Sequence, residues 1–362
     1  LIALVLLFFG GAEAKYSPGL EIAEDGNITL DGGEIKNFQA DGIVNVKAYG
    51  AVGDGSTDDT SAISAAQTAA EASSRKIYLP AGDYYAHGLN FSWGMYNGVI
   101  IGDGPRKTRM ICNDSEDIFT ISAPSITIQD IGFVGNSSRL GKGINIKSGG
   151  DNQRILHCAF TDLNYGIYAR HDTDMVWDPH VVDCYAERCN YGIFFGQGVW
   201  QFLIDSCYVL YTKSGFGIMI GDASGTTQLG AGKILSTTVE YNDGQAGMLI
   251  RNAQGISIDS CYFEQNTGYA IVIDQGSQAI DIRGGYINHG TNVTRSGHGV
   301  YNNGGNVTVD QVIFSGFNSS GKNGISTTAA SSATTWIGHN WDRYGNSTDL
   351  LDASNDVRYL YT

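Results

Sequence analysis

Ile155-Leu156-His157-Cys158-Ala159-Phe160 is answered 26 residues later by Val181-Val182-Asp183-Cys184-Tyr185-Ala186. The same pattern returns at Ile204-Asp205-Ser206-Cys207-Tyr208-Val209 and at Ile258-Asp259-Ser260-Cys261-Tyr262-Phe263. With Thr237, Gly285 and Val312 placed in the Cys column, the steps are 26, 23, 30, 24, 24 and 27 residues. After each block comes a small-apolar pair: Gly166-Ile167, Gly192-Ile193, Gly217-Ile218, Gly247-Met248, Ala270-Ile271, Gly299-Val300, Gly324-Ile325. Self-similarity at this period marks a solenoid in which each repeat buries its apolar side only against its neighbours. Within a repeat the alternation has period two, as in Ile256-Ser257-Ile258-Asp259, so the repeat is built of short strands. The reading is all-β: a right-handed single-stranded parallel β-helix, with Gly or Asn expected at corners needing positive φ. No Leu-x-x-Leu-x-Leu pattern of a leucine-rich repeat is present.

Composition agrees. The chain has 362 residues, 49 Gly but 5 Pro, 42% hydrophobic and 16% charged residues. That is apolar enough for a long core and excludes a disordered chain. A net charge of −15 argues against nucleic-acid binding, which draws its affinity from a basic stripe. No internal stretch is long and apolar enough for stable membrane insertion. The six cysteines, Cys112, Cys158, Cys184, Cys189, Cys207 and Cys261, have no zinc-site spacing. Four of them share one repeat position, so a column of buried thiols is expected rather than a disulfide framework. Leu1–Phe9 is apolar and precedes Ala12-Glu13-Ala14. This reads either as the end of a secretory signal or as an oligomer stem. Three segments follow: 1–43 as apolar segment and lead-in, 44–104 as entry module, and 105–362 as coils with a C-terminal closure.

The entry module combines Tyr49-Gly50-Ala51-Val52-Gly53-Asp54-Gly55-Ser56-Thr57-Asp58-Asp59-Thr60 with Leu79-Pro80-Ala81-Gly82-Asp83-Tyr84. Between them an Ala-rich stretch, 61–72, has helical spacing. Thr57 is expected to cap it, with Asp58 and Asp59 in its first turn. The two motifs resemble the N-terminal signature of the pectate lyase superfamily, which includes phage tailspike depolymerases and secreted pectinolytic enzymes. The resemblance implies that the helix caps the N-terminal end of the coil and that the three Asp residues are structural. It also implies a polysaccharide partner, an extracellular or virion-surface location and a homotrimer of side-by-side helices. It does not carry an active site: of the polygalacturonase motifs only Gly297-His298-Gly299 is found, at an ordinary repeat position.

Candidate site residues come from the register of the coils. Three residues after the Cys column stand Thr161, Glu187, Leu210, Glu240, Glu264 and Asn288; the next column holds Asp162, Arg188, Tyr211, Tyr241, Gln265 and His289. Strands of neighbouring coils lie ~4.8 Å apart. Glu240 and Glu264 should therefore face solvent one coil apart, where two carboxylates raise one pKa and make an acid beside a base. Arg188, Tyr241 and His289 flank them as further catalytic candidates, and Glu187 as a binding residue. Trp177 and Trp200 each lie seven residues before a column Cys. They should stack on adjacent coils as a sugar platform. Asp172, Asp174 and Asp178 offer a hard-oxygen loop that could take Ca²⁺, the cation that pectate-type lyases use; otherwise no cofactor is expected. Two functional classes fit: a polysaccharide depolymerase, hydrolase or lyase, or a non-catalytic glycan-binding or structural β-helix.

Overall fold

The computed structural model describes residues 42–73, 76–171, 174–223, 229–289, 297–317, 323–328 and 334–340. It also gives the backbone of short strands at 21–22, 28–30, 33–35, 341–343, 351–353 and 357–359. The apolar segment 1–14, the expected stem or signal, lies outside the described residues. The strands at 21–35 form a small antiparallel sheet. From Ile43 onward every strand pairing is parallel, and the chain is a β-solenoid of three long sheets.

Each coil contributes one strand to each sheet in a fixed order. In one coil these are His180–Val182 on a first face, Tyr185–Glu187 on a second and Tyr191–Phe195 on a third. The Cys column sits at the corner between the first and second faces. The register Ile155↔Val181↔Ile204↔Ile234↔Ile258 leads into Ala159↔Tyr185↔Tyr208↔Thr238↔Tyr262↔Tyr286↔Ile313. Cys158, Cys184, Cys207, Thr237, Cys261, Gly285 and Val312 are thereby stacked as the repeat requires. All six cysteines are free and buried. Burial pushes the Cys261 thiol up to about 12, so it behaves as a small neutral hydrophobe. The core is filled by an interior column of β-branched and aromatic residues. Phe91, Phe119, Phe133 and Phe160 follow one another with centroids 4.9, 5.0 and 5.1 Å apart.

Two local expectations are corrected. The helix α1 spans Thr60–Ser73, so Thr57 cannot cap it. Asp54–Asp58 is extended instead, and the first helical bond runs from Ile63 N–H to Asp59 C=O at 2.9 Å. The buried Asp59 carboxylate turns inward and accepts the N–H groups of Val52 (2.6 Å) and Gly53 (3.0 Å). Asp54 accepts from Ser56 and Thr57, and Asp58 from Thr60. The acidic run thus serves the backbone, a structural role. Helix α1 buries Ile63, Ala66, Gln67 and Ala70 against the N-terminal coil and hides its apolar end, and Gln67 donates to Asn90 C=O at 2.8 Å.

The second correction concerns corners. It is partial: Gly141, Gly198, Gly255 and Gly284 and also Asn97, Asn152 and Asn252 do take positive φ, but so do other polar residues, His157, Asp183, Ser206, Ser236 and Ser260 at one corner and Asp162, Arg188, Tyr211, Tyr241 and Gln265 at the next. The repeated glycines have another cause. A Cβ on Gly166 would lie 2.5 Å from Gly192 C=O, so crowding between coils selects glycine there. Inside the second corner, Asn242 Nδ2 donates to Asn266 Oδ1 at 2.7 Å and Asn242 Oδ1 accepts from Thr212 Oγ1 at 2.6 Å. This buried polar ladder satisfies its own groups.

Candidate active site on the second face

The outward positions of the second face form two columns, one starting each strand and one ending it. The first reads Asp83, Arg109, Gly132, Ala159, Tyr185, Tyr208, Thr238, Tyr262 and Tyr286. Gly132 and Ala159 have little side chain, and the missing volume opens a cleft of about 510 Å³. Its walls carry Arg106, Arg109, His157, Asp162, Tyr185 and Arg188.

Most charges in this cleft are paired; among the described residues only Arg106 and Asp183 of its walls lack an ion pair. Arg109 Nε donates to Asp83 at 2.7 Å, and His157 meets Asp130. Arg188 donates to Asp162 at 2.9 Å and to Glu187 at 2.6 Å. Arg139 reaches over from a loop to Arg188 C=O at 2.6 Å. Glu187 and Arg188 are therefore brought together as an ion pair at the cleft, on the coil of Cys184, not beside Glu240.

Further along, Glu240 and Glu264 are register partners on adjacent coils, both half-buried. Glu264 is fixed by two donors, Tyr262 Oη at 2.7 Å and Asn288 Nδ2 at 2.8 Å. Burial, and then the neighbouring Glu264 charge, push the Glu240 carboxyl above its ordinary value. Among the described residues neither Glu has a salt bridge, unlike the acids of the cleft. In the starting column Thr238 stands between Tyr208 and Tyr262, beside Glu240. Tyr208 is 51% exposed, and at the corner Tyr211 stacks on Tyr241 with centroids 5.2 Å apart. Tyr241 is also within 3.3 Å of the Gln265 amide. A short side chain between two tyrosines next to an elevated carboxyl suits a sugar and a proton transfer.

Three expectations change. His289 is 6% exposed and packs edge-on against Phe317 at 5.3 Å; its ring turns into the core and cannot flank the carboxylates. Trp177 and Trp200 do pair in register, with centroids 6.0 Å apart. Their short strands, Val176–Trp177 and Val199–Trp200, lie between the third and first faces, so they belong to the edge opposite the second face. There Trp200 is sandwiched between Trp177 and the Gly230 backbone, where a Cβ would come within 2.8 Å of the indole. Only Trp177, 40% exposed, has an outer ring face to offer. The acidic loop does not gather as a cage. Asp172 lies outside the described residues, Asp174 accepts from Ser148 at 2.7 Å, and Asp178 binds Arg154 at 2.8 Å and His180 at 2.7 Å. Burial pushes the Asp178 carboxyl up, but these two partners outweigh it and hold it below its ordinary value. Among the described residues no group of three acidic, His or Cys side chains is placed to hold a metal.

The Arg154–Asp178–His180 constellation beside Trp177 was missed in the sequence. Asp178-Pro179-His180 was its visible trace, but Arg154 joins it only through the 26-residue step of Arg154↔His180.

A family model described as rhamnogalacturonase A/epimerase, pectate lyase-like, matches residues 43–123. Over that stretch the chain is similar to pectate lyase-like β-helices. One stretch of 67 residues is 49% identical to mannuronan C5-epimerase AlgE3 of Azotobacter vinelandii, covering 18% of this chain and 4% of that protein. The chain thus matches only a small part of that relative's length. The A-module of A. vinelandii mannuronan C-5 epimerase AlgE6 superposes with a TM-score of 0.69 at 16% identity, over 87% of this β-helix and 97% of the module. The enzymatically active domain of bacteriophage CBA120 tailspike protein 2 gives 0.61 at 16% identity, over 83% and 47%. At such identities the likeness is one of fold.

Proposed function

We propose that this β-helix is a polysaccharide-processing enzyme that binds glycan along its second face and transfers protons through Glu240 and Glu264. The observation that carries the proposal is the like-charged register pair: Glu240 elevated, Glu264 held by Tyr262 and Asn288, with the short Thr238 side chain between Tyr208 and Tyr262 beside them. Proteins that bury like charges together without a cation lose stability, so the arrangement needs a use. Glu240 is the proton donor to the leaving oxygen, and Glu264 the base or nucleophile. A strand spacing of ~4.8 Å falls near the ~5–5.5 Å carboxyl separation of retaining glycosidases. The paired charges of the upstream cleft bind and orient the chain. A polysaccharide substrate, with work outside the cell or on a virion, agrees with the tailspike and epimerase neighbours. Assembly as a trimer is part of the same proposal, by analogy with tailspikes.

A second reading is favoured by one observation. The His180–Asp178–Arg154 cluster follows directly on the exposed Trp177 in the chain, a His oriented by an Asp next to a guanidinium. Such a set suits proton abstraction next to a sugar carboxylate, the type of step a uronate epimerase or lyase performs. Incubation with a glycan panel, reading products by mass, ultraviolet absorbance and proton NMR, separates the readings. A shorter saturated product lost in Glu240→Gln supports the second-face site. An unsaturated or epimerised product, retained in Glu240→Gln and lost in His180→Ala, moves the chemistry to the first face.

A further inference from the structure

The third face repeats the interrupted aromatic column without the acids. Its outward column reads Tyr165, Tyr191, Phe216, Ala246 and Tyr269, and Tyr191 lies 6.3 Å from Phe216. Ala246 interrupts the aromatic run but is itself fully buried, so it is the outer parts of Phe216 and Tyr269 that face each other, two coils or roughly 9–10 Å apart. Two ring-to-carbon contacts of ~3.5–4.0 Å each fit within that gap. A pocket of about 150 Å³ opens there, lined by Phe216, Leu249, Arg251, Tyr269, Asp274 and Tyr301 among others. It holds about five waters' worth of liquid at ~30 Å³ each, far below the ~300–1,000 Å³ of drug-sized ligand sites.

Its walls are firm. Tyr269 stacks on Tyr301 with centroids 4.7 Å apart, and His298 backs both rings at 5.8 and 5.9 Å. The Gly-His-Gly of the sequence thus supports an aromatic wall. On the polar side Arg251 Nε donates to the buried Asp274 at 2.6 Å, and Asn303 Nδ2 donates to Asp274 at 2.9 Å. Arg251 and Asp274 neutralise each other, so the pocket has hydrogen-bonding groups but no net charge to attract an anion.

We infer that this pocket is a second, non-catalytic carbohydrate site that takes one uncharged pyranose ring between Phe216 and Tyr269, with its hydroxyls on Arg251 and Asp274. The inference rests on the carbohydrate-active reading but not on the catalytic assignment. A site of this kind, set off the catalytic face, would hold the protein on its polymer between turnovers.

The test uses the full chain as Glu240→Gln, with Tyr signals followed by NMR during titration with maltohexaose, laminarihexaose and hexamannuronate. Expected is binding of a neutral hexasaccharide at Tyr269 and Tyr301, weakened about tenfold by Tyr269→Ala, with hexamannuronate inert at these rings. In the otherwise wild-type chain, Tyr269→Ala should retain turnover on short oligosaccharides. If Tyr269 and Tyr301 respond only to the uronate, or to nothing while the enzyme still turns over a glycan, the inference is overturned and the catalytic reading stands. If no glycan binds or reacts anywhere, both fall. Phe216→Leu, which keeps an apolar wall, controls for misfolding: it should weaken binding with an unchanged melting curve.

Discussion

The two ends of the second face use charge in opposite ways. In the upstream cleft three of the four lining cations have carboxylate partners, Arg109 with Asp83, Arg188 with Asp162 and Glu187, and His157 with Asp130, while Arg106 has none among the described residues. Downstream, Glu240 meets another acid, and its carboxyl rises in response. Both ends lie along the same face and its corners on successive coils of one repeat, so the fold does not force the difference. Paired charges on a solenoid surface stiffen and position. Stacked like charges cost stability and are useful where a proton must move.

Substitutions at the two ends should therefore part company. Glu240→Gln and Glu264→Gln are expected to lower turnover on the cognate glycan by at least several hundredfold with unchanged circular dichroism, since each removes a proton-transfer group. Arg188→Ala should do the reverse: turnover within about tenfold of wild type, but a loss of ~1 kcal/mol in denaturant unfolding from a partly exposed pair. If Arg188→Ala matched the Glu variants in rate, the cleft and not the acid pair would be the reaction centre.

Filling the Thr238 position comes next in size. Thr238→Tyr places a tyrosine in register with Tyr208 and Tyr262, which already accept that shape on either side. A rise in KM of at least tenfold, with the fold intact, is expected if the sugar sits there; unchanged KM would remove that position from the site.

The smallest effect is on stability against pH. The Glu240 carboxyl is raised in the folded state above its ordinary value. The folded protein therefore holds that proton more tightly than the unfolded chain, and the stability this contributes is present at low pH and lost as pH rises through the folded value. Glu240→Gln should abolish that loss, so its stability relative to wild type grows as pH rises from below the ordinary carboxyl value through the folded value. A constant difference across that window would mean that Glu240 titrates as an exposed acid.

Much of this was written in the sequence because a solenoid makes register visible. A 23–30-residue step places Cys184 on Cys158 and Glu264 on Glu240 with no tertiary knowledge beyond one coil. The same regularity misled where a side chain leaves its column. His289 shares a sequence column with Tyr241, yet its ring packs against Phe317, because the chain turns inward at that coil. The Trp pair was correctly stacked, but its face was not legible, since spacing fixes the coil and not the face. Arg154, Asp178 and His180 were not grouped, because hydrogen bonds across coils join residues whose sequence neighbours look like ordinary strand. Asp59 was misread as a first-turn helix acid. Its turn toward Val52 and Gly53 depends on the backbone of a loop seven residues earlier, which helix periodicity does not reveal.

The coupling of Glu240 to Glu264 is the central claim, and carboxyl ¹³C NMR on the intact chain tests it most directly. Glutamate is labelled, Glu240 assigned by comparison with Glu240→Gln, and its titration followed in wild type and in Glu264→Gln. The account predicts a Glu240 midpoint above 4.5 that moves down when Glu264 loses its charge, with the glycan pH–rate profile of wild type showing a limb at the same midpoint. A Glu240 midpoint at the ordinary value, identical in both proteins, would contradict it.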